Sequence, residues 1–230
     1  MDICMKGSET MKDTLRQKKE RSIWEKMASR YDRQVMSIYG EAYGLSIERV
    51  LAVIDKKDAV LEMGCGTGII SLGIAPRVER VVGTDISPKM ISLARAKAEQ
   101  LALVNVDFQV GDSYSLPFED GSFDTVLLFN TLHFLKEPNK VLQEAYRLLK
   151  TGGYFALATD CFAEPVPFLT RIRLSAQNLL KNLGIIPFMW NYRKEDLHKL
   201  LKDNSFVIED SEVLHQVPVN YYLLGRKTTL

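Results

Sequence analysis

The chain has 230 residues, enough for one α/β domain with a substantial core and room for an insertion. Its 30 basic and 29 acidic side chains leave a net charge of +1, which supplies no broad field for gripping a polyphosphate backbone and argues against a nucleic-acid partner. Cys4, Cys65 and Cys161 are scattered, without a disulfide framework or metal-ligand spacing, so a reducing cytoplasm is the expected compartment.

Residues 1–17 mix charges with few large apolar side chains and are expected to form a flexible tail, with no apolar core of a signal peptide. No stretch approaches the roughly 20 apolar residues of a membrane span. Residues 18–230 are expected to form a single domain. Ile23, Trp24, Met27, Tyr31 and Val35 recur at helical spacing and predict a helix over 22–35, followed by another over about 41–54. The apolar run 59–63 reads as a strand, and 69–74 as the start of a helix. Residues 80–85 form a second strand, after which Ser87 and Pro88 cap a helix to about Leu101. Strands follow over 104–110 and 123–129, then a helix over 139–149 that Gly152 and Gly153 should end, then a fifth strand over 154–159. This alternation predicts a Rossmann-like, doubly wound α/β fold with a mostly parallel sheet. A helix over 194–202 and strands over 206–214 and 219–225 break the alternation. The short connection between those two strands requires an antiparallel C-terminal hairpin, for seven strands in all.

Two patterns at predicted strand ends carry chemistry. Glu62-x-Gly64-x-Gly66-x-Gly68 lies where the first strand meets the first helix, a place where backbone amides can approach a ligand closely. The dinucleotide fingerprint would require Gly or Ala at position 69, where this chain has Ile69, and has no acid two residues before its first glycine. Asp85 ends the second strand and can accept from a ribose diol of either kind of cofactor. Asp112, after the third strand, can accept from an adenine amine beside Ser113, or can serve as a turn residue.

Together these stretches resemble the class I S-adenosylmethionine-dependent methyltransferases, in particular the small-molecule group that includes the quinone-biosynthesis enzymes. The matching segments are Val60-Leu61-Glu62-Met63-Gly64-Cys65-Gly66-Thr67-Gly68, Gly83-Thr84-Asp85-Ile86-Ser87, Gly111-Asp112, Phe123-Asp124-Thr125-Val126, and the stretch from Leu142 to Gly153. The resemblance implies S-adenosylmethionine as cofactor and S-adenosylhomocysteine as product. Gly64, Cys65, Gly66, Thr67 and Gly68 would hold the methionine moiety, with Glu62 bracing the loop and the methionine amine. Asp85 would bind the ribose, Ile86 would pack on adenine, and Asp112 with Ser113 would read its edge. Met90 would cover the ring or sit in the helix core. Asn130 would lie near the methionine backbone, and Tyr31, followed by Asp32, would close over the cofactor or pack.

Methyl transfer from a sulfonium is an in-line displacement governed mainly by positioning. His133, after the fourth strand, is a candidate general base or a structural loop residue. An insertion over about 163–192 is rich in apolar and aromatic residues. It offers Phe168, Arg171, Trp190 and Tyr192 as a lid and substrate pocket for a hydrophobic or aromatic small molecule, or else as a packing or dimer surface. No carboxylate cluster suggests a catalytic metal, and the chain is expected to be a monomer or homodimer. The competing expectations are a non-catalytic binding subunit with this fold and a nicotinamide-dependent oxidoreductase.

Overall fold

In a computed structural model, the structure describes residues 3–165 and 188–228, and the side chains from residue 15 onward. Six helices and seven strands follow in chain order among the described residues: α1 Ile3–Met27, α2 Tyr31–Leu51, β1 Ala59–Met63, α3 Ile69–Ile74, β2 Arg80–Asp85, α4 Pro88–Gln100, β3 Val106–Val110, β4 Phe123–Phe129, α5 Pro138–Leu148, β5 Leu149–Cys161, α6 Lys194–Asp203, β6 Phe206–Gln216 and β7 Val219–Lys227.

The strands form one sheet in the order β3-β2-β1-β4-β5-β7-β6. All pairs from β3 to β5 are parallel, and β7 runs antiparallel to both β5 and β6. Strand order reverses direction between β1 and β4, which opens a crevice at their carboxyl ends. The period-2 alternation of side chains divides the core. Leu61, Met63, Val126, Leu128, Phe155, Leu157 and Leu223 pack with α5 and α6. Val60, Leu127, Phe129, Ala156, Ala158, Tyr222 and Leu224 pack with α2 and α3 on the other face. Ile91, Ala94 and Ala98 of α4 cluster with Phe108 of β3.

The predicted β1, α3, β2 and β4 coincide with the observed elements, and Ser87 caps α4 by accepting from the Met90 amide at 3.3 Å. Three differences have local causes. Helix α1 begins at Ile3, inside the stretch expected as a tail. That stretch has few large apolar residues, but Met5, Lys6, Glu9, Met11, Lys12, Leu15, Arg16 and Gln17 all favour helix, and it contains no proline. The helix break expected between about 35 and 41 is a kink inside α2, at Tyr39 (φ −121°, ψ 17°). Strand β5 starts at Leu149, before the two glycines expected to precede it. A Cβ on Gly153 would lie 2.6 Å from the Asp124 carbonyl oxygen, so its glycine permits close approach to β4 rather than ending a helix.

Candidate functional site

The carboxyl ends of β3, β2, β1 and β4 present Asp112, Asp85, the glycine loop and Asn130 side by side, in that spatial order. They border a cavity of about 440 Å³. Gly64 lies in the left-handed region (φ +71°), and a Cβ there would come within 2.6 Å of the Thr131 side chain, so only glycine fits between the first and fourth strand ends. Glu62 does not face this cavity. It is buried behind the loop, where one carboxylate oxygen accepts from the Ser71 amide at 2.9 Å and from the Ser71 hydroxyl. Glu62 therefore ties β1 to the first turn of α3 and braces the loop. Burial raises its pKa to about 7 against those hydrogen bonds.

Asp85 accepts from Gly66 N at 3.0 Å on one oxygen and from Ser87 N at 2.8 Å on the other. Burial lifts its pKa to about 6, the amide bonds opposing. Each oxygen retains a second lone pair, so this acceptor-only group at the cavity wall matches a pair of hydroxyl donors. Asp112 accepts from Tyr114 N at 3.2 Å, and its other oxygen takes the Arg16 guanidinium and the Gln17 amide. Ile86, Met90, Ser113, Asn130 and Tyr31 also line the cavity. Burial beside Tyr43 holds the Tyr31 phenol well above its ordinary pKa. Asp32 turns the other way, accepting from the Thr67 hydroxyl and pairing with Lys97, so α2 is fastened directly to the glycine loop.

The outer part of the cavity is built by segments remote from the strand ends. Ile23 and Trp24 of α1, Phe134 and Leu135 after β4, and Phe188 form an apolar wall, with Arg16, Lys19, Glu20 and Lys136 around it. Trp24 meets Phe134 edge-on at 4.8 Å, Arg21 donates to the Ile86 carbonyl at 3.2 Å, and Arg16 stacks 4.4 Å above Tyr114. Burial raises the Glu20 pKa against the pull of Arg16, 2.5 Å away. The sequence reading missed these α1 residues. Their signal was the helical spacing of Ile23 and Trp24, which marks a buried face but not what it covers.

Several predicted residues sit elsewhere. Cys65 packs against Phe108 in the core, and Gly68 forms the left-handed N-cap of α3; neither lines the cavity, nor does Thr67. His133, the candidate base, is buried, with Nδ1 2.8 Å from the Thr159 hydroxyl and its pKa lowered to about 3 by burial. It does not line the cavity, because the turn carrying it directs Phe134 and Leu135 there instead. Trp190 also lies outside the cavity wall, donating its indole N–H to the Leu135 carbonyl at 2.8 Å and holding Phe188 edge-on. Tyr192 is buried away from the cavity, with no hydrogen-bond partner for its hydroxyl among the described residues. Phe168 and Arg171 lie outside the described residues. Among the described residues there is no metal-type cluster of His, Cys, Asp and Glu, and no helix long and apolar enough to cross a membrane.

A parallel sheet closed by an antiparallel hairpin, with a glycine loop after β1 and acids after β2 and β3, is the class I S-adenosylmethionine-dependent methyltransferase architecture. Residues 61–157, from within β1 through most of β5, match the model of the family described as methyltransferase domain. The chain is 33% identical over 144 residues to the uncharacterized methyltransferase YcgJ of Bacillus subtilis, a match covering 63% of this chain and 56% of that protein. It is 29% identical over 164 residues to the demethylmenaquinone methyltransferase of Lactococcus lactis, covering 69% and 63%. The chain thus spans less than two thirds of the length of these relatives. By structure it resembles a chain of the complex between the Haloferax volcanii Trm112 methyltransferase activator and a methyltransferase. There the TM-score is 0.76 at 18% identity, with 91% of this chain and 98% of that one covered.

Proposed function

We propose that the protein transfers a methyl group from S-adenosylmethionine to a small apolar or aromatic acceptor. The observation that carries this reading is the single cavity in which Asp112, Asp85, Gly64 and Asn130 line the strand ends while Ile23, Trp24, Phe134 and Phe188 line the mouth. The first set suits an adenosyl amino acid laid along the sheet edge: Asp112 for the adenine amine, Asp85 for the ribose hydroxyls, and the glycine loop with Asn130 for the amino-acid end. The second set suits a ring or chain with little polarity. Bound there, the cofactor supplies an electrophilic methyl group on a sulfonium. The protein's work is then to hold the acceptor in line and to exclude water, and alignment alone contributes up to about 7–11 kcal/mol. An acceptor that must lose a proton would meet Glu20 at the cavity wall rather than His133.

The test is calorimetric titration of the purified protein with S-adenosylmethionine, S-adenosylhomocysteine and NAD, with Asp85→Ala as control. Binding of both adenosyl ligands, weakened at least about tenfold in the variant by loss of a charged acceptor, is expected. Folded protein that binds neither adenosyl ligand would overturn the reading. Binding of NAD in their place would assign the fold to redox chemistry.

A further inference from the structure

We infer that the buried pair Asp160 and Asn220 fixes the Asn130 amide with its NH₂ toward the cavity, making Asn130 the donor for the carboxylate of the cofactor's amino-acid end. The inference deepens the cofactor reading above and rests on it.

The antiparallel register of β5 and β7 sets Asp160 opposite Asn220, and both are buried, at 6% and 1% exposure. One Asp160 oxygen accepts from the Tyr39 hydroxyl at 2.9 Å, where α2 kinks, and the other from Asn220 Nδ2 at 2.8 Å. An ionised carboxylate can only accept, so it dictates which end of the Asn220 amide faces it. The second hydrogen on that Nδ2 reaches Asn130 Oδ1, again at 2.8 Å. With its oxygen thereby committed inward, the Asn130 amide nitrogen is turned to the Tyr43 hydroxyl, which takes one of its hydrogens and leaves the other for the cavity that Asn130 borders. The backbone of Asn130 is fixed as well. Its φ is +52°, a conformation that Asn adopts more readily than most side chains, and its N–H donates to the Ala158 carbonyl at 2.7 Å.

The carboxylate is not placed there cheaply. Among the described residues no arginine or lysine pairs with it, and burial raises its pKa to about 6. A pair of apolar side chains would fill the same space at lower cost, but would leave the Asn130 amide free to rotate. The amino-acid end is the part of the ligand that meets Asn130. Strand order puts adenine and ribose at Asp112 and Asp85, and β1 and β4 come next.

The test separates the direction of the hydrogen bonds from their number. The double variant Asp160→Asn with Asn220→Asp keeps volume, charge and bond count. Its new carboxylate accepts from both neighbours, so Asn130 must turn its NH₂ inward and show its carbonyl to the cavity. S-adenosylhomocysteine should then bind about tenfold more weakly or worse, while 5′-deoxy-5′-methylthioadenosine, which lacks the amino-acid end, stays within about twofold. The melting temperature should stay close to the parent's. Asn130→Asp, which retains the bond from Asn220, should give the same ligand-selective loss even if the double variant does not fold. Equal losses for both ligands, or none, would overturn the inference while leaving the cofactor reading intact. Parent protein that binds neither ligand would overturn both.

Discussion

Replacing Glu62 with glutamine removes a carboxyl that burial holds at a pKa of about 7, against an ordinary value of 4.5, while preserving its volume and an oxygen for the Ser71 amide. Between those two values the folded protein carries a proton on Glu62 that the unfolded chain has lost. Stability from this group is therefore fully present below about pH 4.5 and falls as pH rises through 7, at about 1.4 kcal/mol per pH unit. From pH 5 to pH 8 the loss comes to about 3 kcal/mol. Asp85 and Asp160, both raised to about 6 from 3.8, add losses of the same sign, but the variant retains them. The expected result is thus a difference between slopes. Urea unfolding at pH 5 and pH 8 should show the parent losing about 3 kcal/mol more than Glu62→Gln, or about 1–2 M in midpoint for a typical urea dependence. Any offset of the variant from its altered bond to the Ser71 hydroxyl is common to both pH values and cancels in the comparison. Parallel pH profiles for the two proteins would refute the assignment of a buried, reluctantly ionised carboxyl to Glu62.

Gly64→Ala adds a left-handed strain of about 1–2 kcal/mol to the overlap with Thr131 at 2.6 Å, itself worth about 1–3 kcal/mol. Thermal unfolding should fall by roughly 5–15 °C, and a shift below about 2 °C would show that the loop relaxes freely. Arg147→Ala strands Glu144, a mostly buried carboxylate that Arg147 grips on both oxygens at 2.8 and 2.9 Å and that also accepts from Leu116 N at 2.7 Å. About 3 kcal/mol of stability should be lost, and adding Glu144→Gln should restore part of it; a double-mutant cycle with no coupling would contradict the pairing.

Most of the sheet was legible because each strand's own residues determine it. The five-residue β1 is wholly buried, and its apolar run ends at a glycine. The antiparallel hairpin followed from connection length alone. What failed locally did so where a tertiary contact outweighs a local signal. Gly152 and Gly153 look like a helix stop, yet both lie within β5, where Gly152 takes a left-handed φ of +83° and Gly153 permits the approach of β5 to β4. Residues 3–17 look like a tail, because a helix made of charged residues is recognisable only by what it lies on, and Arg16 and Gln17 lie on Asp112.

The same division explains which half of the site could be read. Asp85, Asp112, Gly64, Gly66 and Asn130 each stand at the end of a strand, so their places in the sequence and in the cavity are one fact. The mouth has no such shortcut. Ile23 and Trp24 reach Phe134 and Leu135 across more than a hundred residues, and nothing in their spacing states that α1 crosses the sheet edge rather than the solvent face. His133 shows how fine the distinction is. Its neighbours in sequence, Thr131, Phe134 and Leu135, all line the cavity, but the tight turn over Leu132–Phe134 sends its ring back to Thr159. Asp160 and Asn220 are further still from any local signal, 60 residues apart and meeting only through the β5–β7 register. The end of the cavity that we assign to the cofactor is therefore written in strand ends and lies within the matched family segment, 61–157. The groups that cover it or fix its donors come mostly from α1, α2 and the C-terminal hairpin outside that segment, and it is there that differences in acceptor between proteins of this fold can arise without disturbing the cofactor edge.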